Sequence, residues 1–151
     1  MNIEFTTNPH SADLDFITQK INEETPDFGT AYSFAFFMHD EAGNIIAGCN
    51  GSLIFGSIYT DQLWVHTSHR RRGLGYKLMA QVHDYGRENE CSMATVATMS
   101  FQGAKAFYEK LGYVVDFERA GYTQNSRCIF LKQVGWAKRS AAQQSILNKP
   151  P

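Results

Sequence analysis

His69-Arg70-Arg71-Arg72-Gly73-Leu74-Gly75-Tyr76-Lys77 is the stretch on which the reading of this chain turns. The residues before it, Ile58 to His66, alternate as a strand does. That alternation places Asp61, Leu63 and Val65 on one face and Gln62, Trp64 and His66 on the other. After it the period changes. Leu78, Val82 and Tyr85 recur near 3.6 residues, joined by Met79, and predict a helix from about Leu74 to Asn89. Two glycines two apart therefore sit between a strand and a helix, where the backbone can turn tightly and approach a ligand. The helix start offers free N–H groups and the positive end of its dipole, which together bind phosphate. Arginines add charge-assisted hydrogen bonds, each worth about 1.5–3 kcal/mol. Alone, Arg70, Arg71 and Arg72 read as a solvated basic patch; with Gly73 and Gly75 following, the segment reads as a pyrophosphate site. A P-loop needs GxxxxGK[ST], and the Lys-Ser/Thr pair is missing. A dinucleotide fingerprint needs a third glycine where Leu78 stands.

Working outward, the chain spells alternating elements. Residues 11 to 24 predict a helix, with Ser11 as its cap, Asp13 and Asp15 in the first turn, and Leu14, Ile17 and Ile21 on one apolar face. Tyr32 to His39 and Ile45 to about Ile54 predict a hairpin across the Asp40–Asn44 turn. Met93 to Met99 is nearly uncharged and predicts a strand buried on both faces. Ala104, Phe107, Tyr108 and Leu111 predict a second helix, with Gly112 at its end. Tyr113 to Phe117 and Cys128 to Val134 are the last strands. The order is α, three strands, α, β, α, β, β: an α/β (α+β) class in one domain, residues 1–134. The segment 135–151 reads as a tail, with a short helix near Ala141 to Ser145 or disorder.

The chain has 151 residues, 43% hydrophobic and 19% charged, one domain's worth. Mean hydropathy is −0.34, and no run of about 18 apolar residues exists for a membrane span. Net charge is −1, which gives no push toward nucleic acid or an anionic membrane. Cys49, Cys91 and Cys128 are odd in number and far apart, so neither a disulfide framework nor a zinc site is expected. No histidine stands in an HExxH pattern, and His66 and His69 read as surface residues. The start lacks a signal peptide's basic and apolar regions. A cytoplasmic, reduced, metal-free protein is expected.

Arg70-x-x-Gly73-x-Gly75, placed between strand and helix, resembles the coenzyme A signature of the GCN5-related N-acetyltransferases (GNAT family). Ala104-Lys105-Ala106-Phe107-Tyr108-Glu109-Lys110-Leu111-Gly112-Tyr113 resembles the family's A-x-x-F-Y-x-K-x-G-[FY] stretch. Asp61-Gln62-Leu63-Trp64-Val65 and Ser126 to Lys132 are similar to a bacterial branch with unassigned substrates. The resemblance covers about Ala31 to Lys132. It implies a mixed, mostly antiparallel sheet splayed at the cofactor site, helices on both faces, and acetyl transfer from acetyl-CoA to a primary amine. It implies that Leu63, Trp64 and Val65 pair with pantetheine, and that Arg70, Arg71, Arg72, Gly73, Leu74, Gly75 and Tyr76 hold the pyrophosphate. Phe101, Phe107 and Tyr108 complete the expected cofactor surface, although Phe101 stands where the family often carries Asn. Tyr108 matches the family's general acid. Asp61 is the candidate base or amine-orienting carboxylate, set against a plain strand-end role. Phe55, Tyr59, Phe101, Phe117 and Tyr122 are either acceptor-pocket aromatics or core. The implied partner is a small-molecule or protein amine, with a homodimer as the expected assembly. Two other readings stand beside this one: a non-catalytic acyl-CoA-binding module, and a nucleic-acid binder using Arg70 to Arg72 and Lys138-Arg139.

Overall fold

In the computed structural model, residues 1–136 are described. They form α1 (Ser11–Glu24), β1 (Ala31–His39), β2 (Ile45–Ile54), β3 (Ser57–Val65), α2 (Leu74–Glu88), β4 (Met93–Met99), α3 (Lys105–Lys110), β5 (Tyr113–Arg119) and β6 (Cys128–Gln133), with short 3₁₀ turns between some of them. The strands make one six-stranded sheet in the order β1-β2-β3-β4-β6-β5. Only β3 and β4 pair in parallel; every other neighbouring pair is antiparallel. The mixed, mostly antiparallel sheet expected from the sequence is present. The short helix expected near Ala141 to Ser145 and the Lys138-Arg139 pair lie outside the described residues.

A parallel pair needs a crossover, and α2 supplies it. Its inner side carries Leu78, Met79 and Val82, each at most 2% exposed. Each such burial stabilises the fold by about 1.5–3 kcal/mol. Phe34 and Phe36 of β1 meet the Tyr85 ring from the same side. Gly86 brings the helix close to β3, since a Cβ there would stand 2.7 Å from Ile58. The sheet face under α2 is therefore the core face.

Three local expectations need correction. His10, not Ser11, holds the N-cap position of α1, and no side chain caps it. The apolar side of α1 is not buried: Leu14, Ile17 and Ile21 remain about half exposed. The helix is tied to β1 through Asn22, whose amide accepts from the Ala31 N–H at 2.7 Å and donates to its carbonyl at 2.9 Å. In β4 only alternate residues, Ala94, Val96 and Thr98, are fully buried. The strand has one dry face rather than two.

The core also holds a polar pair. His83 of α2 is buried, and its Nε2 lies 2.9 Å from the Tyr113 hydroxyl. Trp136 meets the His83 ring edge-on at 5.4 Å, donates to the Cys91 carbonyl at 2.7 Å, and lies under Arg87. Burial first, and the Arg87 charge second, push His83 down to about 4. An unfolded histidine titrates near pH 6.5. The fold therefore holds His83 neutral, and acid favours the unfolded chain. Its contribution is complete above about pH 6.5 and lost as pH falls toward about 4. Thermal denaturation from pH 7.5 to 4.5 should show this loss, and His83→Gln, which cannot titrate, should flatten it. An equal slope in both proteins would assign the loss to other groups.

Candidate functional site

The site begins where the sheet comes apart. β3 pairs with β4 only from Ser57↔Met93 to Thr60↔Val96. β3 continues to Val65, while β4 from Thr95 to Met99 follows β6. A gap therefore opens through the sheet beyond Thr60. At its closed end the Thr60 hydroxyl is buried without a hydrogen-bond partner among the described residues.

The edge of β3 along this gap has a defined set of free groups. The His66 N–H points the other way, to the Ile46 carbonyl at 2.8 Å. By alternation Val65 and Leu63 turn their N–H and C=O groups into the gap. Arg70 Nε already donates to the Val65 carbonyl at 3.0 Å. The Leu63 N–H and C=O and the Val65 N–H remain for an extended, amide-bearing ligand.

Beyond the mouth of the gap lies the turn read first in the sequence. Arg71 (φ +60°) and Gly73 (φ +77°) both adopt the left-handed region, which aims successive N–H groups into one concavity. Gly73 accommodates this without strain, whereas Arg71 does so at a cost. After Arg70, the next N–H to find a backbone partner is that of Lys77, on the Gly73 carbonyl. The N–H groups of Arg71 to Tyr76 lack partners among the described residues. They open on a cavity of about 440 Å³ lined by Leu63, Trp64, Val65, His69, Arg70, Arg71, Gly73, Leu74, Gly75, Tyr76, Gln102, Ala104 and Phe107. Tyr76 and Phe107 close one side, ring to ring at 5.0 Å. The donor set and the amide-pairing edge suit coenzyme A: anion-binding amides at one end, a strand edge at the other.

Tyr108 lies deeper, 5% exposed, against the rings of Phe107 and Tyr113. Burial, followed by the nearby Cys49 and Tyr59, pushes its hydroxyl up to about 12, so it keeps its proton at neutral pH. Cys49 pairs with Leu63, and Tyr59 precedes Thr60. Both neighbours thus flank the closed end of the gap.

Asp61 is not where alternation put it. Asn50 pairs with Gln62 and Gly51 with Thr60, so Asp61 is an extra residue without a partner on β2. This bulge resets the alternation. Leu63 and Val65 face the core with α2, but Asp61 joins Tyr59, whose hydroxyl is 3.4 Å from its carboxylate, on the opposite face. Asn50 pins the bulge by bonding the Gln62 side chain at 2.9 Å and its N–H at 3.1 Å. A glycine is required opposite, because a Cβ on Gly51 would stand 1.9 Å from the Tyr59 carbonyl oxygen. The opposite face carries a groove of about 670 Å³ lined by Ser33, Phe34, Ala35, Asn50, Gly51, Ser52, Tyr59 and Asp61.

The structure thus gathers Leu63, Trp64, Val65, Arg70, Arg71, Gly73, Leu74, Gly75, Tyr76 and Phe107 around one cavity. Arg72 lies on the turn but outside the lining, and Phe101 is 66% exposed and also outside it. Gln102 takes the inward place beside Phe101; its Oε1 accepts from Thr98 and from the Met99 N–H. Of the aromatics read as acceptor or core, Tyr59 lines the groove, while Phe117 stacks on Phe130 at 4.3 Å. Gln102, Ser33 and Asn50 were not singled out in the sequence, because their roles depend on strand register.

A sheet parted between two parallel strands, beside a turn of free amides, defines the acetyltransferase architecture of the GNAT type. The acetyltransferase (GNAT) family model matches residues 4–113, and the chain belongs to that family. Blasticidin-S acetyltransferase of Streptomyces morookaense is 33% identical over 81 residues, 53% of this chain and 59% of that protein. An acetyltransferase from Bacillus cereus ATCC 14579 shares the fold at TM-score 0.65 with 22% identity, covering 86% of this chain and 96% of its own. The ribosomal-protein-S18-alanine N-acetyltransferase of Escherichia coli does so at TM-score 0.60 with 14% identity, covering 84% and 90%.

A Cβ on Gly75 would already touch the Phe107 ring at 3.2 Å. Gly75→Trp should therefore fill the cavity under the free amides. Calorimetry should show coenzyme A bound at least tenfold more weakly, with the far-UV circular dichroism retained. Unchanged binding would place the phosphates elsewhere.

Proposed function

We propose that this protein is an acetyl-CoA-dependent N-acetyltransferase in which a primary amine attacks the thioester directly. The observation that carries this is the gap beyond Thr60 and Val96, with the amide-lined cavity along the freed edge of β3 and the polar Asp61 groove across β1 to β3 on the opposite face. Acetyl-CoA would supply an activated acetyl thioester. The N–H groups of Arg71 to Tyr76 would hold its pyrophosphate, Arg70, Arg71 and Arg72 would attract it, and Leu63 and Val65 would pair with its amides. Phe107 and Tyr76 would shield the cavity wall.

The amine must shed its proton to attack, since a free alkyl amine has a pKa of roughly 10.4. Asp61 would draw the cationic amine into the groove and orient it, with Tyr59, Ser33 and Ser52 offering further hydrogen bonds. Tyr108 would donate its O–H toward the departing sulfur, the general-acid position. A thiol titrates near pH 8.5, well below Tyr108. Tyr108 therefore serves better as a hydrogen-bond donor than as the lasting source of the proton. The ammonium first gives one proton to water; the bond from amine nitrogen to acetyl carbon then forms, the carbon–sulfur bond breaks, and the second proton lost by nitrogen ends on sulfur.

The acceptor we favour is a small, hydrophilic, cationic amine. The groove offers one carboxylate among hydroxyls and amides, and the relative from Streptomyces morookaense is by name a blasticidin-S acetyltransferase. The chain spans about 59% of that relative's length. The fold likeness extends equally to an acetyltransferase named for a protein alanine, so the groove chemistry decides our choice. The reading includes a catalytic domain at residues 1–134, action in the cytoplasm, where the buried free cysteines would stay reduced, and a homodimer. No helix among the described residues is long and apolar enough to cross a membrane.

A free-thiol assay with acetyl-CoA and a panel of amines tests the reading. Turnover with cationic small amines is expected. Binding without thiol release for any amine would leave a non-catalytic acyl-CoA-binding module. Tyr108→Phe should lower kcat on the order of 10²-fold, the scale of general-acid losses, and leave the acetyl-CoA Kd within about twofold. Asp61→Asn should raise the KM for the amine and not that for acetyl-CoA. An Asp61→Asn enzyme with wild-type KM for every amine would return Asp61 to a strand-end role.

A further inference from the structure

We infer that His66, Ser68 and His69 form a phosphomonoester site, and that its ligand is the terminal 3′-phosphate of coenzyme A. The inference rests on the cavity being a coenzyme A site.

The three side chains form one hydrogen-bonded chain. The Ser68 N–H points at His66 Nδ1 at 3.3 Å, so that nitrogen accepts. Ser68 Oγ lies 2.8 Å from the same nitrogen and gives it the hydroxyl proton. A hydroxyl has one proton to give. At 2.9 Å from His69 Nδ1, Ser68 Oγ must therefore accept, and His69 carries its proton on Nδ1. The outward nitrogens follow from this order. His66 Nε2 carries a hydrogen and is a fixed donor. His69 Nε2 carries the lone pair in this tautomer, and both ring nitrogens donate only in the imidazolium form. The two rings stand 5.7 Å apart at 75°, so both can address one small group.

Position and charge point to a phosphate. β3 runs from the closed end of the gap at Thr60 to its mouth at Val65, and the 3₁₀ turn Thr67–His69 follows directly. A ligand with its thiol at the closed end and its pyrophosphate on the Arg71 to Tyr76 amides has its nucleotide at this mouth. His69 lines the same cavity as Arg70, Arg71 and Gly73. A phosphomonoester carries about −1.5 to −2 charge at pH 7 and needs more donors than a pyrophosphate oxygen. Among the charged groups that face the cluster, Arg70 and Arg71 add attraction for the phosphate. Asp40, at the β1–β2 turn, is close enough to feel the His69 ring, and its negative charge opposes the phosphate that the arginines attract. His66 and Ser68 are exposed and His69 is half-buried, so the cluster supports no core.

The test is calorimetry of coenzyme A and 3′-dephospho-coenzyme A on the wild-type protein and on His66→Ala/His69→Ala. The wild type should bind coenzyme A at least tenfold more tightly than the dephospho form. The double variant should bind both forms alike, at the wild-type strength for the dephospho form. Equal wild-type affinities would overturn the inference and leave the proposed activity standing. So would discrimination that survives the double substitution, which would assign the phosphate to the arginines, or a variant that weakens both ligands equally. A wild type that binds neither form would overturn the coenzyme A reading itself.

Discussion

Everything specific about this structure depends on where one ladder of hydrogen bonds stops. β3 and β4 begin as parallel neighbours and separate after Thr60 and Val96. Parting two strands leaves backbone donors and acceptors unpaired, which a fold normally avoids. Here the loss is kept local. The Asp61 bulge bends β3, β6 takes over the outer edge of β4, and Arg70 satisfies the Val65 carbonyl. What is left over is a short row of amide groups facing an opening, the polarity that an extended amide-bearing ligand needs.

Helix packing keeps the opening from closing. α2 is pressed onto β3 at the paired end, where Gly86 meets Ile58, and α3 holds Phe107 against Gly75 near the mouth. The same placement points the start of α2 at the cavity, so the packing that builds the core also aims the free amides. The core is not wholly apolar. The His83–Tyr113 pair, under Trp136, joins α2 to β5, and Tyr113 in turn meets the Tyr108 ring. Buried polar pairs of this kind fix orientation better than they add stability.

The two sheet faces differ in kind. Beneath α2 the residues are mostly apolar, with Thr60 and the His83–Tyr113 pair as polar exceptions. On the other side Ser33, Asn50, Ser52, Tyr59, Asp61 and Gln62 offer hydroxyls, amides and one carboxylate to whatever approaches. The bulge makes the switch: one extra residue moves Asp61 from the face of Leu63 and Val65 to the face of Tyr59. The amide-lined cavity lies along the gap, and the polar groove with its one carboxylate lies across β1 to β3 on the opposite face.

The sequence alone determined the elements and the turn of free amides, because both are short-range. Period 3.6 in Leu78, Val82 and Tyr85, alternation in β3, and two glycines two apart are local patterns, and the Arg71 to Tyr76 amides follow from them. It misjudged features set by distant partners. Leu14, Ile17 and Ile21 recur on one side of α1, yet all three stay about half exposed. Met93 to Met99 read as doubly buried because composition does not say which neighbours a strand will have. Only the tertiary structure decided the face of Asp61, since a bulge is a mismatch between two strands and is invisible in either one. It alone raised His83 and Gln102 to notice, and it alone joined His66, Ser68 and His69 into a chain with defined protons. Hydrogen-bond direction depends on distances that only folding creates.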